Sequence, residues 1–459
     1  MQNQKQRSPA ARGSMKEVGL MAWPTIIGML SFTLMEVADA FFVGKLGTVE
    51  LAAIGISTML VFVLHSFCFG LMGAARVVIA QLDGAGERTL FARAAGTTLL
   101  LAILLGVLVL PLTFISKYLF AILGGSAEVQ LVAGEYFNAR LLGSWAFFIM
   151  IGLGNVLKGT GNMRTPMRIN LIVNTFNIVL DPILIFGLGP IPAMRHLGAA
   201  HATTIALVLG MALMLWATRH RIVGSWRPHL QLLRSTLRYG GPMGIQWMLE
   251  AASWAVFLGL MARIGDAALA ANTAVMKILT VSFLPGYGIA EAANVLAGRY
   301  AGAGKNDLVP KVWRSSVTIG VSLMGLCGVL FFLVPEMLIG VFSQDPEILR
   351  IGSIFLRIAA VFQVVDALGI ISSNTLMGTG DTRFTMFIAL GSAWLVFVPV
   401  AWFLSQKTEL GAIGAWVGLV THLCVVGSIF AWRIFHGGWR GRTIVKEATD
   451  PMPLASPAE

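Results

Sequence analysis

Charge is scarce in this chain. Only 12% of its 459 residues are Asp, Glu, Lys or Arg, about half the share of an average soluble domain. Cysteine is rarer still, with three in all. Cys68, Cys327 and Cys424 each stand alone in an apolar run, which excludes a disulfide framework or a zinc ribbon and marks them as small packing residues. His65, His201 and His422 are equally scattered and are read as structural. No interface of the chain gathers His, Ser or metal-spaced acids, so neither an enzyme nor a cofactor is expected.

Apolar sequence fills the space that charge vacates. Hydrophobic residues make up 56% of the chain, and the mean hydropathy is +0.79. Runs long enough to cross a bilayer, roughly 20 residues, recur throughout. Twelve are read, at 18–43, 50–75, 94–116, 130–157, 167–188, 197–218, 241–263, 267–297, 314–335, 351–377, 384–406 and 411–433, here called spans 1 to 12. The fold class expected is an all-α integral membrane protein with twelve transmembrane helices. The net charge of +11 could suggest nucleic acid, but its placement does not. With both termini on one side, 24 of the 33 Lys and Arg fall in loops or tails of that side. This is the positive-inside pattern, which predicts a multi-pass protein of the cell (inner or plasma) membrane with cytoplasmic termini and no nucleic-acid partner.

The chain also repeats itself. NVLKGTGNMR around residue 155 returns as NTLMGTGDTR around 374, aligning Asn155, Gly159, Thr160, Gly161 and Arg164 with Asn374, Gly378, Thr379, Gly380 and Arg383 at an offset of 219. At an offset of 218, Pro24 matches Pro242, Leu51-Ala52-Ala53 matches Leu269-Ala270-Ala271, and Gly84-Ala85-Gly86 matches Gly302-Ala303-Gly304. Periodic self-similarity of this kind marks a duplicated architecture. The reading is two pseudo-symmetric six-helix lobes in parallel repeat: a tail 1–17, an N-lobe 18–218, a linker 219–240, a C-lobe 241–433 and a tail 434–459. Such halves suit alternating access around a central cavity.

Acids inside spans are functional hypotheses by default, because each costs at least roughly 2.5 to 3.5 kcal/mol to insert. Glu36 and Asp39 lie in span 1, Asp181 in span 5, Glu250 in span 7, Glu291 in span 8 and Asp366 in span 10. Most keep polar company at helical spacing: Asn174, Asn177 and Asp181; Gln246 and Glu250; Gln363 and Asp366. None recurs in the other half. Phe257 stands opposite Asp39 and Phe147 opposite Asp366, so the scaffold is duplicated and the chemistry is not. A carboxyl group withdrawn from water holds a proton more readily, and Na⁺ or an organic cation competes for the same charge. Competition for one site is what exchange requires, so the pattern predicts a secondary antiporter. Pro24, Pro182, Pro242 and Pro285 interrupt helical hydrogen bonding and are hinge candidates.

DAFFVGKLG (39–47), NTFNIVLDPILIFG (174–187), AGAGK (301–305) and FQVVDALGIISSNTLMGTGDTR (362–383) resemble the multidrug and toxic compound extrusion family over nearly the whole chain. The resemblance implies an exporter of organic, often cationic and amphipathic compounds, coupled to H⁺ or Na⁺. It implies a proton-linked site in the N-lobe at Asp39, Asn177 and Asp181, with Asn174 beside them, or a C-lobe site for Na⁺ at Glu250 and Asp366. It also implies a further acid at Glu291. Glu36, beside Asp39, and Arg299, where a neutral Gln is usual, depart from the family pattern. The partners expected are a small organic molecule and membrane lipid, and the state expected is a monomer. The alternative is a lipid-linked precursor flippase or polysaccharide exporter of the same build, which would need a cationic cavity.

Overall fold

The computed structural model of the protein describes residues 12–124 and 126–441. Of the tails expected at 1–17 and 434–459, residues 1–11 and 442–459 lie outside the described residues. Among the described residues there is no β-strand, only an isolated bridge between Leu188 and Ile191. Among the described residues, eleven helices are long and apolar enough to cross a membrane, and a twelfth is formed if the bent pair Ala127–Leu142 and Ser144–Gly159 is one span. That pair corresponds to span 4. Spans 1 to 3 are the helices Met15–Gly44, Thr48–Ala85 and Phe91–Val109, and spans 5 and 6 are Arg164–Phe186 and Arg195–Arg221. Spans 7 to 10 are Leu230–Ile264, Asp266–Gly302, Leu308–Leu333 and Pro346–Thr379. Span 11 is Thr382–Gln406, and span 12 is Gly411–His436.

Local sequence explains where these helices start, bend and stop. Ahead of span 10, Asp345 Oδ1 accepts hydrogen bonds from the Glu347 and Ile348 amides at 2.8 and 3.2 Å, with Pro346 in the first turn, where a missing N–H costs nothing. The same span ends at Gly380 of the repeated GTG block, whose φ of 96° suits a residue without a Cβ. Span 3 stops at Val109, seven residues before the apolar run does, because the chain reaches Pro111. A separate helix, Leu112–Leu123, then exposes Phe114, Tyr118 and Ile122, as a helix lying in a membrane interface would. The segment 219–240 is helical up to Arg221 and again from Leu230, leaving 222–229 as the connection.

The four hinge-candidate prolines sit inside helices that continue on both sides of them. The 46° bend in span 4 falls at Gly143 instead. There a Cβ would lie 2.6 Å from Thr204 Oγ1, so the close approach of span 6 requires glycine. In span 11 a π-helical turn, Ala393–Phe397, precedes Pro399 and absorbs its missing donor.

Buried apolar side chains form one cluster from spans 2 to 6, including Met72, Phe137 and Phe148. A second comes from spans 7 to 12, including Phe257, Phe355 and Trp416. The lobes are joined by span 1 against span 8 and by span 2 against spans 7 and 8. These joints gather in the halves of the spans nearest the chain ends. On span 7, Gly240 packs against the Leu71 carbonyl and Gly244 against the Phe67 carbonyl, small residues four apart that let two helices meet backbone to backbone. Spans 2 and 8 cross more tightly. A Cβ on Gly84 would lie 1.9 Å from the Arg299 carbonyl oxygen, and one on Gly302 would lie 2.1 Å from that of Gln81. Gly84 and Gly302 are 218 apart, and so are Gln81 and Arg299, so the repeated glycines form a two-fold crossing at the lobe interface.

Because backbone cannot yield as a flexible side chain can, Gly84→Ala and Gly302→Ala are each expected to destabilise the protein by about 1–3 kcal/mol. Gly19→Ala, where a Cβ meets nothing within 4 Å, should leave stability unchanged or slightly raised. Thermal midpoints of the three purified variants check this, and equal midpoints would remove the crossing from the account.

Candidate functional site

Spans 1 and 5 pack directly on one another, and this packing builds the N-lobe site. Asp39 lies five residues from the end of span 1 at Gly44 and Asp181 five from the end of span 5 at Phe186. Both therefore sit roughly 8 Å from the ends remote from the chain termini. Their carboxyl groups face each other as a hydrogen-bonded pair. Asp181 and Asn177 are fully buried, and Asn177 Nδ2 donates to Asp181 Oδ1 at 3.4 Å. Asp39 Oδ1 and Asp181 Oδ2 are buried and receive no donor from the rest of the protein. Two carboxyl groups this close, with no donor from the rest of the protein on these oxygens, are relieved by one shared proton or by a bound cation.

Asn174 does not join them. Its Nδ2 donates to Ser31 Oγ at 2.8 Å, and that hydroxyl donates to the Gly28 carbonyl. Asn174 therefore ties span 5 to span 1 lower down, three residues from Asn177 and on a different partner. Glu36 is exposed on span 1, so of the two span 1 acids the structure brings Asp39 to Asp181. Arg140 lies within electrostatic reach of both without forming an ion pair with either.

The C-lobe acids are arranged differently. Gln246 Nε2 donates to Glu250 Oε1 at 3.0 Å, while Gln246 Oε1 is buried without a donor. Gln363 is held by Ser282 of span 8, whose hydroxyl donates to Gln363 Oε1 at 2.8 Å. Span 8 packs closely on span 10, and spans 7 and 10 show no comparable packing on each other. Glu250 and Asp366 are thus presented from separate helices and not as a contacting pair. The positions that echo the acids are filled by aromatics: Phe257 packs among Trp254, Phe397 and Trp416, and Phe147 stacks on His65. His65 in turn meets Ser144 Oγ at 2.9 Å, a structural use in keeping with its sequence reading.

Glu291 is brought to none of the other acids. It is 3% exposed, forms an ion pair with Arg76 of span 2, and accepts from Lys158 Nζ at 3.0 and 2.9 Å. Arg76 and Lys158 are among the cations that the charge pattern assigns to loops, but the helices of spans 2 and 4 run on past them to Ala85 and Gly159. The signal was present: Arg76 is flanked by apolar sequence on both sides, in GLMGAARVVIAQL. Among the described residues no group of three or more His, Cys, Asp or Glu could hold a metal ion.

Comparison with known proteins gives this geometry a family. The MatE family model matches residues 24–183 and again 242–403. The chain belongs to the MatE family. The two matches begin 218 residues apart, at Pro24 and Pro242, the same offset as the glycine crossing. The MatE chain is 29% identical over 436 residues to a probable multidrug resistance protein NorM of Thermotoga maritima, covering 94% of each chain. It is 30% identical to a probable NorM of Burkholderia pseudomallei, covering 91% of each. Among solved structures, a transporter of the MOP superfamily from Pyrococcus furiosus matches at a TM-score of 0.86 and 22% identity, over 96% of this chain and 98% of that one. An outward-facing multidrug resistance MATE family transporter matches at 0.86 and 23%, over 94% and 97%. These likenesses show the two-lobe fold. The proteins this MatE chain resembles are described as transporters or resistance proteins, and none as an enzyme.

Ser31→Ala tests the division of labour on span 5. It strips Asn174 of its partner, and a loss of about 1 kcal/mol in stability is expected, with the transport rate within about twofold of wild type because Asn174 does not touch Asp181. Thermal midpoint and transport rate, measured on one preparation, check the two halves of that statement.

Proposed function

We propose that this MatE-family protein is a secondary antiporter of the cell membrane that exports small organic, cationic and amphipathic compounds in exchange for protons, with both termini cytoplasmic. The single observation that carries the reading is the Asp39–Asp181 pair. Two carboxyl groups in contact inside a membrane protein cannot both remain charged, so the pair holds a proton until a cation or an opening to water replaces it. A substrate cation drawn to the same charge competes with that proton, and one site that cannot hold both performs exchange. The distribution of Lys and Arg supports the orientation, under which the joined lobe ends face the cytoplasm and the Asp39–Asp181 end faces outward. Relatives at 29–30% identity named as multidrug resistance proteins support the substrate class. Membrane lipid and a single copy of the chain complete the proposal.

Sodium coupling is the second reading, and it rests on Gln246 Oε1, a buried oxygen without a donor next to Glu250. With Asp366 across the lobe, it gives oxygen ligands of the kind a hard cation takes. The flippase alternative needs free cations in the cavity to hold phosphate, and the buried Arg76 and the partly buried Lys158 are taken by Glu291.

Ethidium efflux from proteoliposomes, with a pH gradient and a Na⁺ gradient imposed in separate runs, tests the proposal. Efflux with the pH gradient and none with Na⁺ alone is expected. Asp39→Asn and Asp181→Asn should each reduce it to background, and the double variant should lose no more than either single one, because the pair acts as a unit. Efflux driven only by Na⁺ would move coupling to Glu250 and Asp366. No efflux with either gradient would contradict cation antiport and favour a lipid-linked substrate.

A further inference from the structure

The lobes meet through two sets of charges whose polarity is crossed. In the inner set, the N-lobe supplies the cations Arg76 and Lys158 and the C-lobe supplies the carboxylate of Glu291, with Lys158 Nζ 2.9 Å from Glu291 Oε2. Arg76 also donates from Nε to Asn294 Oδ1 at 3.2 Å. Eight residues further along span 8, roughly 12 Å, the signs are reversed. There the N-lobe supplies Asp83 and the C-lobe supplies Arg299, with Arg299 Nε 2.8 Å from Asp83 Oδ2. Arg76 and Asp83 stand on span 2, Lys158 at the end of span 4, and Glu291 and Arg299 on span 8, so none of these pairs survives separation of the lobes.

We propose that these five residues form a two-tier ionic latch that selects the conformation in which the lobes are closed at the chain-end side. Three physical points carry it. First, a buried charge whose partner is withdrawn is left uncompensated, so the inner tier resists separation more than a solvated pair would. Second, crossed polarity fixes register: sliding span 8 along span 2 would move Arg299 toward Arg76 and Lys158, and like charges in contact reject that arrangement. Third, the outer tier replaces a neutral contact. Gln81, the position equivalent to Arg299 in the other half, crosses the same interface with a hydrogen bond from Nε2 to the Gly378 carbonyl at 3.0 Å. Arg299 turns the corresponding contact into an ion pair while its guanidinium packs against Gly161 of the N-lobe GTG block. The repeated GTG blocks and the repeated glycines thereby become parts of one closure, to which this chain adds charge. The latch holds whichever ion or substrate is transported.

The test is a distance measurement on the full-length protein in lipid nanodiscs, with the three native cysteines replaced. Nitroxide labels go on Thr89→Cys and Lys305→Cys, both exposed positions, one on each lobe at the chain-end side. Double electron–electron resonance on the otherwise wild-type protein should show a predominant short distance. Glu291→Gln and Asp83→Asn should each raise the population of a longer distance at least about tenfold from a minor-state level. The reversal Asp83→Arg with Arg299→Asp should restore the short distance. If Glu291→Gln does not fold, Asp83→Asn and the reversal still decide the matter at the outer tier. A distribution unmoved by the single variants, or a reversal that stays as open as Asp83→Asn alone, would overturn the latch. Because the readout is a distance, its failure is separate from any failure of the antiport reading.

Discussion

A charge withdrawn from water must find compensation inside the protein or not be charged at all, and this requirement orders the whole molecule. Where opposite charges meet across the lobes, as at Glu291 with Arg76 and Lys158, the requirement is met by ion pairing and the result is cohesion. Where two acids meet within one lobe, as at Asp39 and Asp181, with no ion pair to either, a proton or a cation meets it. One physical rule thus produces a structural joint near the chain ends and a pair of acids near the opposite side.

Duplication supplies the frame in which the two are kept apart. The glycines at 84 and 302 let spans 2 and 8 cross with each backbone against the partner's equivalent carbonyl. The same crossing gives Gln81 and Arg299 their opposite-lobe partners. Duplication stops at the acids. Phe257 fills the place of Asp39 within an aromatic cluster, and Phe147 fills that of Asp366 against His65. The scaffold is repeated across the lobes and the acids are not.

The sequence made much of this legible. Twelve apolar runs, their constant offset and the acids within the spans could be read directly, because hydropathy and helical spacing are local properties of the chain, while the sharing of one site by Asp39 and Asp181 followed from the family resemblance. What escaped depends on contacts between distant residues. Asn174 has the spacing to serve Asp181, yet Ser31 of span 1 takes it. Glu291 looks like the other buried acids, and only the approach of span 2 and of the span 4 terminus shows that it is already paired. The ends of the helices escaped for a related reason. Spans 2, 7 and 8 run past their apolar windows, since the lobe interface, and not lipid, buries their polar turns. The hinge-candidate prolines lie inside continuous helices, whereas the bend of span 4 falls at Gly143, where a neighbouring helix comes too close for a side chain.

The central claim is that the exported cation and the coupling proton compete for the same carboxyl pair. Equilibrium binding of ethidium to the purified protein, followed by fluorescence anisotropy over a series of proton concentrations, addresses it without any transport step. The account predicts an apparent Kd that rises in proportion to proton concentration with no plateau, and a dependence that disappears in Asp39→Asn. An apparent Kd indifferent to protons, or one that levels off while ethidium remains bound, would show that the two ligands occupy separate sites and would contradict the account.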